Sequence, residues 1–238
     1  MLNPKENLIV ALDNFGSINE FKKIVSELKD IVSYFKVGLE LINTKEGIES
    51  YIKILKKNKS KIFYDAKLHD IPNTVAKSVK NICKLKVDIL TIHSSGGRAM
   101  VEAAVKSRNE AKSKMQIYGV TILTSLSDKD TKTIYGKKTK EKVFDLALLA
   151  KQSGLDGIIC SPQELTFLKS REELKGLKFI TPGIRPDWAN QDEQTRLATP
   201  AQAIQSGADQ IVVGRPITAS KKPKDTAKKI LDEIQKSL

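Results

Sequence analysis

A single-domain (β/α)₈ barrel over residues 1–238 is the fold this sequence predicts, and three observations predict it. Eight short apolar runs alternate with longer segments of helical period, the pattern of βα units around a parallel sheet. The chain length of 238 residues lies close to the roughly 250 typical of such barrels. After the first apolar run comes Leu12-Asp13-Asn14-Phe15-Gly16 instead of a glycine-rich dinucleotide fingerprint, which counts against an open doubly wound sheet. No Pro/Gly/Ser-rich linker, low-complexity tract or fixed-period repeat divides the sequence.

The strands are expected at Leu8 to Leu12, Tyr34 to Gly38, Lys61 to Leu68, Val87 to His93, Gln116 to Leu123, Gly157 to Cys160, Lys178 to Thr181 and Gln210 to Gly214. Each is short enough for a strand and too short for an amphipathic helix. The first helix starts at a capping box of Ser17 and Glu20 and turns Phe21, Ile24, Val25, Leu28 and Val32 inward. Pro72 opens a helix with Val75, Val79, Ile82 and Cys83 on its buried face. Gly154 closes the helix carrying Val143, Leu146 and Ala150. Ser161, Pro162 and Glu164 repeat the capping logic, and Thr199 with Pro200 opens a helix that Gly207 ends. Pro223 begins the last helix, whose inward residues are Ala227, Ile230, Leu231 and Ile234.

Composition narrows the function classes. No segment reaches the roughly 18 apolar residues of a membrane span, and the amino terminus lacks a signal-length apolar stretch, so a cytoplasmic protein is expected. Cys83 and Cys160 lack metal-type spacing and read as reduced core residues. Lysine and arginine outnumber acids 41 to 28, for a net charge of +13. These cations are spread over nearly every helix, and aromatic residues are only 5% of the chain, too few for stacking platforms. A basic nucleic-acid-binding module is therefore the weaker reading, and a positive field that draws in a small anionic substrate the better one.

The densest chemistry lies in DAKLHDIPNTV, residues 65 to 75. Strand periodicity puts Asp65 and Lys67 on one face, with Asp70 just past the strand's carboxyl end, where the active sites of α/β proteins gather. Asp13, Lys36 and His93 stand at other strand ends, so the barrel mouth collects alternating acids and lysines. A lysine flanked by carboxylates stays protonated and can donate a proton; the alternative is a structural ion-pair network. Thr181-Pro182-Gly183-Ile184-Arg185 and Val212-Val213-Gly214-Arg215 follow the seventh and eighth strands, the usual phosphate site of such barrels. Glycines there expose backbone N–H groups and the arginines suit bidentate phosphate contacts. Residues 183–198, with Trp188, Gln191, Gln194 and Arg196, are long enough for a lid. His69 and His93 lack ligand spacing and read as structural hydrogen-bonding residues.

DAKLHDIPNTV, together with LIVALD, FKVGLEL, IHSSGG, VTILTS, GLDGIICS, TPGIR, DEQTRLATP and IVVGRPIT, resembles the orotidine 5′-phosphate decarboxylase family in its short bacterial branch, in the family's order and along the whole chain. Ser94-Ser95, where the family commonly has alanine, is a small departure. The resemblance implies conversion of orotidine 5′-phosphate to uridine 5′-phosphate on a TIM barrel, with neither a metal nor an organic cofactor. It also implies a charged tetrad of Lys36, Asp65, Lys67 and Asp70, with Lys67 as proton donor. Asp13 and Lys36 would hold the ribose, and Thr124 or its neighbour Ser125 would meet the pyrimidine. Arg185, Gln194, Gly214 and Arg215 would bind the phosphate or its closing loop. A homodimer is implied too, Asp70 and Thr74 entering the partner's site. The nearest rival is a magnesium-dependent sugar-phosphate decarboxylase or aldolase of the same superfamily, which shares the Asp-x-Lys-x-x-Asp spacing.

Overall fold

The computed structural model describes residues 3–13, 15–189 and 197–238. Eight parallel strands close into a barrel in sequence order: β1 Leu8–Ala11, β2 Tyr34–Gly38, β3 Lys61–Leu68, β4 Ile89–His93, β5 Gln116–Val120, β6 Gly157–Ile159, β7 Lys178–Thr181 and β8 Gln210–Val213, with β8 pairing back onto β1. The principal helices between and after them are α1 Ile18–Leu28, α2 Ile48–Lys57, α3 Pro72–Lys84, α4 Arg98–Glu110, α5 Thr139–Gln152, α6 Leu165–Lys169, α7 Pro200–Gln205 and α8 Pro223–Gln235. All eight expected strands form; β1, β5, β6 and β8 end one to three residues earlier than the apolar run, β4 starts two residues later, and the other three keep its bounds. Among the described residues no helix is long and apolar enough to cross a membrane.

Two cores follow from the period of two. Ile9, Ala11, Phe63, Ile89, Tyr118, Ile180 and Val212 fill the barrel, and their alternate neighbours Leu8, Val10, Ile62, Leu90 and Ile117 join the larger core beneath the helices. The same alternation carried two residues further along β1 to β4 reaches Asp13, Lys36, Asp65 and Thr91, so the fold that packs an apolar centre delivers polar groups to the carboxyl end.

Helix starts agree with the sequence in all but one detail. Thr199 accepts the N–H of Gln202 at 3.1 Å while the Gln202 side chain accepts the N–H of Thr199 at 3.0 Å, a complete capping box, and Ser161 with Glu164 forms another. At α1 Ser17 caps the N–H of Glu20, but the Glu20 carboxylate accepts the N–H of Gly16 rather than that of Ser17. Helix α1 also stops at Leu28, so Val32 is buried from the following loop. Cys160 is buried as expected, whereas Cys83 is only half-buried.

At the amino-terminal end of the barrel one aspartate precedes each of β4, β6 and β8. Asp88, Asp156 and Asp209 accept the N–H of the second residue of the preceding strand, Ile62, Ile117 and Phe179, at 2.7, 2.8 and 2.8 Å. These bonds clamp neighbouring strands in pairs. Asp156 also forms an ion pair with Arg108, whose side chain is 12% exposed. Replacing Asp156 by alanine leaves the nearly buried Arg108 guanidinium without a counter-charge, with only the Asn109 side chain as partner, and a strand N–H without its acceptor, so the expected loss is about 2–3 kcal/mol. Urea unfolding measures it, and a change below about 0.5 kcal/mol would show that the clamp carries no stability.

Candidate active site

A chain of ion pairs runs across the carboxyl ends of β1, β2 and β3. Lys36 Nζ lies 2.9 Å from Asp13 Oδ1 and 3.5 Å from Asp65 Oδ2, and Lys67 Nζ lies 2.6 Å from that same Asp65 oxygen. The Asp65 side chain is 9% exposed and those of Lys36 and Lys67 12% and 30%. Burial alone would raise the Asp65 carboxyl's pKa. The charges of Lys36 and Lys67, with hydrogen bonds from Lys67 and Thr91, outweigh it and hold the group below the usual carboxylate range. The site therefore carries an ionised acid at neutral pH. Gly38 leaves room for this ion pair: a Cβ would stand 3.1 Å from Lys36 Nζ and 3.3 Å from Asp13 Oδ1, so a side chain here would press on both groups.

Strand periodicity alone does not place Lys67. Tyr64 pairs with Leu90 and Leu68 with Ile92, so four steps along β3 oppose two along β4 and the strand bulges. Within the bulge Lys67 adopts a left-handed φ of 47°. That conformation costs about 1–3 kcal/mol in a residue with a Cβ and is typical of functional sites. The Lys67 N–H, displaced from the ladder, donates to Thr91 Oγ1 at 2.9 Å, and that hydroxyl donates to Asp65 Oδ1 at 2.8 Å. Thr91 is fully buried, and nothing in the strand-end pattern marked it as part of the site.

Two adjoining cavities flank the ion pairs. The smaller, about 240 Å³, is lined by Lys67, Asp65 and Thr124 together with apolar residues including Ile122, Ile159 and Val212. The larger, about 970 Å³, contains Asp13, Gly183, Arg185, Gly214 and Arg215, and both share Lys36, Pro182 and Val212. A molecule with a weakly polar end and an anionic end fits that division. The Arg185 N–H donates to the Ala198 carbonyl at 2.9 Å and the Ala198 N–H to the Gly183 carbonyl at 3.3 Å, which ties the backbone after β7 to Ala198. Gly183 takes a φ of 76° there, a turn that disfavours a side chain.

The family model described as orotidine 5′-phosphate decarboxylase / HUMPS family matches residues 6–230. The chain belongs to this family. The orotidine 5′-phosphate decarboxylase of Carboxydothermus hydrogenoformans is 44% identical over 237 residues, covering 97% of this chain and 96% of that one. The enzyme of the same name from Saccharophagus degradans is 41% identical, with 98% and 97% covered. The crystal structure of the Lactobacillus acidophilus orotidine 5′-phosphate decarboxylase superposes with a TM-score of 0.81 at 35% identity, covering 96% of this chain and 99% of the other.

Of the residues singled out by resemblance to the decarboxylase family, Asp13, Lys36, Asp65 and Lys67 meet directly. Thr124 lines the smaller cavity, while Ser125 is exposed and does not. Arg185, Gly214 and Arg215 line the larger one, and Gln194 lies outside the described residues. Asp70 and Thr74 are exposed, and Asp70 accepts the N–H of Ile71 at 2.7 Å instead of joining the ion pairs. The two histidines pack ring against ring, with centroids 5.2 Å apart, where hydrogen-bonding roles were expected. Burial first, and then the charges of His69 and Lys67, push His93 down to about 4, so it is neutral at pH 7. Cys160 also lines the smaller cavity, but burial drives its thiol's pKa far above the usual range, so it supplies no nucleophile.

Proposed function

We propose that this chain decarboxylates orotidine 5′-phosphate to uridine 5′-phosphate and carbon dioxide, the last step of de novo pyrimidine synthesis, with no metal or organic cofactor. The observation that carries the reading is Lys67 Nζ, held 2.6 Å from Asp65 at the rim of a largely apolar cavity. The pyrimidine occupies that cavity beside Thr124. Asp13 and Lys36 meet the ribose, and Arg185, Gln194, Gly214 and Arg215 bind the phosphate or its closing loop. When the C6–carboxylate bond breaks, its electron pair stays on carbon 6. The Lys67 ammonium stabilises that charge as it forms and then transfers its proton there, regaining one from water. Asp65, ionised and close to the leaving carboxylate, opposes the ground state.

The working form in this reading is a cytoplasmic homodimer. Its support is the segment from His69 to Thr74, all exposed in the single chain, with Ile71 66% exposed beside Asp70. A partner covering this face would bury Ile71 and receive Asp70 and Thr74 in its own site.

The direct test is loss of orotidine 5′-phosphate ultraviolet absorbance with purified protein in excess chelator. Turnover only of a sugar phosphate, and only with added magnesium, would sink the proposal. In the same assay Arg215→Ala should lower kcat/KM by roughly 10–100-fold, the value of one charge-assisted phosphate contact, mostly through KM. Arg215 is exposed, so the loss of stability should stay within about 1 kcal/mol.

A further inference from the structure

We propose that Thr91 is a positioning residue for the decarboxylation, its hydroxyl acting at once as acceptor and donor; the role rests on the reaction proposed above. The geometry forms a closed ring. The Lys67 N–H donates to Thr91 Oγ1 at 2.9 Å, Thr91 Oγ1 donates to Asp65 Oδ1 at 2.8 Å, and Asp65 Oδ2 accepts from Lys67 Nζ at 2.6 Å. A hydroxyl has one proton. Because the amide must donate, the Thr91 proton is left for the carboxylate, and the direction of every bond in the ring is fixed.

The ring ties the backbone of Lys67 and the tip of its side chain to a single carboxylate. Both attachments are needed at this place. The bulge takes the Lys67 N–H out of register with β4, and it donates to the Thr91 hydroxyl instead of to a ladder carbonyl. Asp65 Oδ2 stands between two ammonium groups, 2.6 Å from Lys67 and 3.5 Å from Lys36. With Oδ1 unheld, the carboxylate could turn between them and carry Lys67 off the reacting carbon. Thr91 prevents that turn from a rigid base. It lies two residues after Ile89 on the inward face of β4, is fully buried, and its branched Cβ restricts its rotamer.

The experiment compares Thr91→Val and Thr91→Ser in the full chain with orotidine 5′-phosphate as substrate. Valine keeps the shape and removes both bonds. Its kcat should fall about 10–100-fold with KM changed less than about threefold, as for a misplaced catalytic group with binding intact. The acid limb of its kcat profile should move to higher pH, because Asp65 loses a donor to its ionised form. Serine should restore kcat to within about threefold of the unaltered protein. Thr91→Val with kcat within twofold of the unaltered protein, or serine no better than valine, would overturn the role. Should valine fail to fold, amide exchange in the unaltered protein decides: the Lys67 N–H should exchange at least about 100-fold slower than an open amide, and an unprotected amide would overturn the link. Absence of turnover in the unaltered protein would remove the proposed reaction instead, while the exchange rate still reports whether Thr91 holds Lys67.

Discussion

Lys67→Ala should lower kcat on orotidine 5′-phosphate by about 10⁴-fold or more while the protein stays folded. Two effects vanish together. General acid catalysis contributes roughly 10²–10⁴-fold, and a preorganised charge facing a developing anion contributes a further factor of about 10²–10³. Their overlap in one side chain keeps the total short of the simple product. The fold survives for identifiable reasons. The Lys67 side chain is 30% exposed, Asp65 keeps Lys36 and Thr91, and alanine at a φ of 47° is no more strained than lysine. Steady-state turnover with a thermal melt of the same sample checks both halves. Turnover near that of the unaltered protein would remove Lys67 from the chemistry.

The proposed mechanism depends on a lysine whose direction the sequence does not reveal. Periodicity correctly paired Asp65 with Lys67, but it is the bulge and the left-handed φ of Lys67, not the period of two alone, that set where the ammonium lies. Periodicity could not show the shift against β4, since alternation within one segment carries no information about its partner's register. Nor does a lysine announce a left-handed φ. The same blindness hid three helix ends: Lys59, Lys86 and Lys112 take positive φ just after α2, α3 and α4, in the role that Gly154 and Gly207 fill after α5 and α7. Where glycine does this work the chain reversal is visible in sequence, and where lysine does it nothing marks the turn. Asp13, Lys36, Arg185, Gly214 and Arg215 were legible because strand ends in a barrel converge whatever the register. Thr91 was not, because a threonine inside an apolar strand reads as core until its hydrogen bonds are seen.

Asp70 poses the opposite problem, since its place in the motif was plain and its place in space depends on a second chain. Within one chain it accepts the N–H of Ile71 and stays outside the ion pairs of Asp13, Lys36, Asp65 and Lys67. If Asp70 completes the partner's site, Asp70→Ala and Lys67→Ala should each be nearly inactive alone and should complement when mixed. Random exchange in a two-fold dimer makes about half the molecules heterodimers, each with one site carrying both native residues and one lacking both, so about one quarter of the unaltered activity should return. Recovery should follow the rate of subunit exchange, which differently tagged chains report independently. Exchange without recovery would place Asp70 in its own chain's site or in none, and the exposed segment from His69 to Thr74 would then need another explanation. Recovery at the expected level would mean that the barrel holds its substrate with its own charges while a neighbouring chain supplies the last acid, so that dilution below the dimer's dissociation constant abolishes turnover without unfolding the barrel.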